Sequence, residues 1–179
     1  MQHFFLIAFM LSAFASLWAV RLGGRIKHLS ISLHVAQTMR MQVVFGSTLT
    51  LATILMAITF FAWLLPKYDV GILSYLMFAL VILCLGTIAF VPHVINTWRE
   101  PVHNIGAWGF VYVIIVTMGA MLFWPLSSLA WWIGLGLTTI NTIMLLLALT
   151  KKQLRQWFLY FQIAYLGVFF GFILVTVYV

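Results

Sequence analysis

Acidic side chains are almost missing from this chain. Its 179 residues hold two, Asp69 and Glu100, against nine Lys and Arg. The two lie in separate polar stretches, read below as opposite faces of a membrane. Catalysis by paired carboxyl groups flanking one bond is therefore excluded within one chain. Cysteine occurs once, at Cys84, inside an apolar run. It can form neither an internal disulfide nor a CxxC pair, and it reads as a small buried residue. Charge of either sign makes up 6% of the sequence, where a soluble domain carries about 25%. There is no glycine-rich phosphate loop, no HExxH and no GxSxG. No Ser/Gly/Pro-rich linker divides the chain.

What fills the sequence instead is apolar, 65% of all residues. A chain this apolar cannot cover itself with a water-compatible surface. Runs of about 20 uncharged residues are long enough to cross the hydrocarbon core. Backbone polar groups in lipid must be satisfied internally, which makes such runs helices. The predicted fold class is all-α: a polytopic membrane protein, a bundle of six transmembrane helices with antiparallel hairpins. The whole chain, 1–179, forms one integral membrane domain, with helices at about 4–20, 43–65, 71–91, 105–124, 129–149 and 157–178. None of these spans contains Asp, Glu, Lys or Arg. Ion-coupled transporters and proton pumps normally keep an ionisable group near the midplane, so both classes are disfavoured. The first span is expected to stay as an anchor, because Met1–Phe5 carries none of the basic residues of a signal-peptide n-region.

Orientation follows from the loops. Arg21, Arg25, Lys27, Arg40, Arg99, Lys151, Lys152 and Arg155 fall on one side and Lys67 alone on the other. By the positive-inside rule the first side is cytoplasmic, with both termini extracytoplasmic and the cell inner membrane as the location. The tryptophans agree: Trp18, Trp98, Trp108 and Trp157 fall at the inner boundary, and Trp63, Trp124, Trp131 and Trp132 at the outer one. The expected partners are membrane lipids, including anionic headgroups at the basic inner face, and a second copy or another membrane protein. Nucleic acid is a poor partner for charges spread along a membrane surface.

Two outer turns, 66–70 and 125–128, are short enough to force hairpins. The segment 28–42 reads as an extension of the second helix or a piece lying in the headgroups, with His34, Gln37 and Met41 at helical spacing. Gly167 and Gly171, Gly46 and Thr50, and Gly134 and Thr138 provide small surfaces for close helix approach. Packing within one chain is the first reading and an oligomer interface the second. Asn141 and Gln162 are expected at similar depth, where an amide–amide hydrogen bond would pin the fifth helix to the sixth.

The stretch from Pro92 to Trp108 concentrates polarity, with His93, Asn96, Arg99, Glu100, His103 and Asn104. Pro101 suits the first position of the fourth helix, where its missing N–H costs nothing. His93 and Asn96 are expected to end the third helix, and His103 to sit in the first turn of the fourth at a similar depth to His93. Three readings compete. The residues cap helix ends and meet headgroups; or His93 and His103, with or without His34, ligate haem b or a metal, since imidazole serves both; or a histidine acts as acid or base on a lipid headgroup. The reading carried forward is a non-enzymatic accessory or lipid- or partner-binding membrane component. Its alternatives are a membrane redox protein using the inner-face histidines and a carrier of a small neutral or lipid-like ligand.

Overall fold

The computed structural model describes residues 2–22, 30–151 and 157–179. His28, Arg25, Lys27, Lys152 and Arg155 lie outside them. No strand occurs among the described residues. The helices are α1 (Gln2–Leu22), the short α2 (Ile31–Val35), α3 (Met39–Lys67), α4 (Ile72–Phe90), α5 (Arg99–Met121), α6 (Ser128–Thr150) and α7 (Phe158–Tyr178). Five of the long ones, α3 to α7, carry stretches long and apolar enough to cross a membrane. The apolar part of α1, Gln2–Trp18, is shorter.

Helix ends follow local chemistry more closely than hydropathy. α3 begins at Met39 rather than near 43, because the Thr38 hydroxyl accepts from the Met41 N–H at 3.2 Å, a side-chain N-cap. It does not stop at Pro66. A proline inside a helix clashes with the carbonyl four residues back. Here the chain widens into a π-helical turn over Phe60–Leu64 and runs on to Lys67. Asp69, at φ 46°, then turns the backbone toward α4. α5 starts at Arg99 rather than near 105. Glu100 reaches back to accept from the Asn96 N–H at 2.7 Å, and the Thr97 hydroxyl accepts from the Arg99 N–H at 3.3 Å. This Thr-x-x-Glu arrangement resembles a capping box shifted by one residue. Pro101 therefore occupies the third helical position, still within the turn whose N–H groups lack partners.

Segment 28–42 departs further from expectation. From Ile31 to Val35 it forms a separate helical turn whose Ile31, His34 and Val35 are buried against α1 and α3. Gln37 is exposed, outside both helices. The turn is tucked into the bundle rather than laid on it.

The core is aromatic and sulfur-rich. Phe5, Phe60 and Phe78 meet in sequence, with Phe60 edge-on to Phe78 at 4.6 Å between centroids. Met56, Met118, Phe169 and Phe172 complete it. Large apolar side chains also crowd the outside, among them Ile72, Ile105 and Phe123, the last 91% exposed. Hydrogen bonds tie helix ends together. Tyr178 Oη donates to Gln2 O, Tyr68 Oη to Thr176 O at 2.7 Å, Trp124 Nε1 to Ser74 Oγ, and Trp131 Nε1 to Leu122 O at 2.9 Å. These gather the start of α1 with the end of α7, and the end of α5 with the starts of α4 and α6.

Small residues mark the close approaches, though not all where expected. A Cβ at Gly134 would lie 2.6 Å from Cζ of Phe172, locking α6 onto α7, and one at Gly106 would lie 2.8 Å from the Thr87 methyl, locking α5 onto α4. A Cβ at Gly46 would lie 3.0 Å from the Ala89 carbonyl oxygen. Gly167 and Gly171 face nothing within 4 Å, so that pair does not mediate close helix contact. α1 packs on α3, α3 on α4, α4 on α5, and α6 on α7; α5 meets α6 and α7 only sparsely. Gly167 borders the space left there.

Candidate functional site

That space is a cavity of about 490 Å³, within the usual range of small-molecule sites. It is bounded by α1, α5 and α7, with contributions from α2, α3, α4 and α6. Its wall is mostly apolar: Phe9, Leu17, Leu49, Phe110, Leu145 and Phe170 are typical. Ser12 and Ser16 of α1 lie along the wall, the Ser12 hydroxyl donating to Ala8 O, and other polar groups cluster at one end. His103 and Gln162 each lie four residues into their helices, and His93, Asn104, Ser30 and Ser32 join them. From His103 to Val111 along α5 the cavity runs about 12 Å, at about 1.5 Å per residue. Among the described residues lining it, none is charged.

His93 does not end the third helix. α4 stops at Phe90, and His93 sits after Pro92 in extended chain. Asn96, at φ 61°, turns that chain into α5. The geometry brings His93 onto His103, their rings stacked at 5.0 Å between centroids and 5° between planes. His103 is 2% exposed, and its Nδ1 lies 2.6 Å from the Val91 carbonyl oxygen. A carbonyl only accepts, so Nδ1 carries the proton and the neutral ring keeps its acceptor lone pair on Nε2. His93 is half-buried, with both ring nitrogens sealed and without a hydrogen-bond partner. Desolvation holds its pKa below the usual histidine value, and the Glu100 carboxylate partly offsets that. A void of about 10 Å³ between His93, His103 and Gln42 is at the lower limit for one water molecule.

His34 is fully buried on α2, and its Nδ1 donates to Ser30 O at 2.8 Å. Among the described residues no three His, Cys, Asp or Glu side chains converge as a metal-ligand group. The His93 and His103 rings oppose their faces.

Asn141 and Gln162 do not bond each other. Gln162 Oε1 accepts from the Ile31 N–H at 3.0 Å and caps α2 onto α7. Asn141, fully buried, places Nδ2 3.4 Å from Met118 Sδ and leaves Oδ1 without a partner. Their depths differ. Gln162 lies about 6 Å into α7, whereas Asn141 lies about 14 Å from the C-terminal end of α6 by helical rise. Tyr165, which the sequence reading did not single out, bridges α7 to α5 through Oη and the Val111 carbonyl oxygen at 2.7 Å. It lines the cavity. An aromatic in an apolar run carries no signal that its hydroxyl spans two helices.

The chain matches no known family model, no curated protein and no solved structure.

Proposed function

We propose that this protein is a non-enzymatic, multi-pass component of the cell inner membrane that holds an amphiphilic lipid between its helices. In this reading all six long helices cross the bilayer as antiparallel neighbours. Arg21, Arg40, Arg99 and Lys151, at or next to helix ends, face the cytoplasm. Exposed apolar side chains such as Ile105 and Phe123 meet lipid. The observation that carries the proposal is the cavity of about 490 Å³, mostly apolar in its wall, with His103, Gln162 and Asn104 together at one end. Its volume suits one chain-bearing molecule, and its polarity gradient matches an amphiphile. Its polar end lies at the starts of α5 and α7, which this topology puts near the inner headgroups.

Gly167 provides the test. It lines the cavity, and a Cβ there would meet nothing within 4 Å, so the Gly167→Phe side chain starts from open space at the cavity wall. Native mass spectrometry of the protein released from membranes should show one bound amphiphile in the parent and none in the variant. An equally lipid-free parent, or an equally loaded Gly167→Phe, would count against the reading.

A further inference from the structure

The next step rests on that cavity reading and concerns the head of the occupant. Three observations constrain it. First, His103 is almost wholly buried and lines the cavity. With Nδ1–H bound to Val91 O, the polar atom it can still offer is Nε2, an acceptor with no partner among the described residues. Second, Gln162 stands at a similar distance into α7 and lines the same cavity. Its carbonyl is taken by Ile31 N–H, which leaves the amide N–H groups as donors. Third, no described side chain lining the cavity carries a charge. An ionised head would lose its hydration there and find no counter-charge among those described side chains.

We propose that the cavity selects a neutral lipid whose head is a hydroxyl group. A hydroxyl both donates and accepts. It can give its proton to His103 Nε2 and accept from the Gln162 amide while its chain follows α5 toward Val111. An ether or ester oxygen only accepts and leaves Nε2 unsatisfied. A carboxylate brings a lone pair against the Nε2 lone pair and a charge with no partner among the described lining residues. An ammonium finds no carboxylate among the described lining residues. His93 supports the arrangement by covering one face of the His103 ring.

The test uses the full-length protein in micelles and three probes with one chain: 1-dodecanol, its methyl ether and dodecanoate. Equilibrium binding of labelled dodecanol is measured alone and in competition with the other two. The parent should bind the alcohol about tenfold more tightly than the ether, as expected for one buried hydrogen bond, and should bind the carboxylate no better than the ether. His103→Asn keeps a donor in the Nδ1 position for Val91 O and deletes Nε2. It should bind alcohol and ether alike. Equal binding of alcohol and ether by the parent, or preference for dodecanoate, overturns the head-group assignment and leaves the cavity reading standing. Failure of all three probes to bind overturns the cavity reading itself. The comparison within the parent holds even if His103→Asn does not fold.

Discussion

Gly134→Ala adds a single methyl group at the tightest approach among the described glycines. Its Cβ would fall 2.6 Å from Cζ and 3.2 Å from Cδ2 of Phe172, a ring with no exposed surface. The ring is packed among core side chains, so relief requires either an off-rotamer Phe172 or separation of α6 from α7. Overpacking of this kind costs typically about 1–3 kcal/mol. Replacing glycine by alanine inside a helix returns roughly 0.5–1 kcal/mol, which blurs the result for one variant. Gly171→Ala removes the ambiguity. It lies mid-helix in α7, and its added Cβ meets nothing within 4 Å, so it carries the propensity gain alone. The difference between the two variants therefore isolates the steric term, about 1–3 kcal/mol. Reversible unfolding in mixed micelles should place Gly171→Ala at or above the parent and Gly134→Ala below it. Equal shifts of the same sign would refute the claim that α6 and α7 are locked through this contact.

Asn141→Leu should stabilise the protein by about 1 kcal/mol, because it removes a fully buried carbonyl oxygen with no partner among the described residues while keeping the branched shape of the side chain; a loss in the same unfolding assay would mean that Asn141 is satisfied by something else. The His93 pKa is lower in the folded protein than unfolded, so the unfolded chain binds the proton more readily. Stability should then fall as pH drops through about 6.5 toward the folded value and level off below it; melting curves should show a shallower fall for His93→Asn, and an unchanged slope would contradict the sign. Single cysteines placed at Asp69, Leu126 and Arg99 in a Cys84→Ser background should label from outside at the first two positions and from the cytoplasm at the third. External labelling at Arg99 would overturn the orientation.

The helical class and the approximate positions of the long helices were legible because lipid imposes a length and a composition on each helix. The approach of His93 to His103 was legible too, since consecutive helices joined by a short link bring flanking residues to one level. Packing partners were not. Gly167-x-x-x-Gly171 and Gly134-x-x-x-Thr138 look alike as small-residue spacings, yet only Gly134 meets a neighbour closely, because the azimuth of each helix depends on the whole bundle. Asn141 and Gln162 were expected at similar depth, yet the helix ends at Thr150 and Phe158, close to those expected, set them at unequal distances from that end of the bundle, and each amide finds a nearer partner. The cavity left no trace in the sequence. Its walls are ordinary apolar residues, and it exists because α5 stands apart from α6 and α7. The helical turn at Ile31–Val35 was hidden in a mixed-polarity segment that reads equally well as a helix extension.

The most direct measurement is a density map of the protein in lipid nanodiscs, for the parent and for Gly167→Phe. The account predicts an elongated density in the parent, with one end at His103 and Gln162 and the other near Val111, and its loss in the variant with the helices unmoved. A collapsed or water-filled cavity in the parent would contradict it.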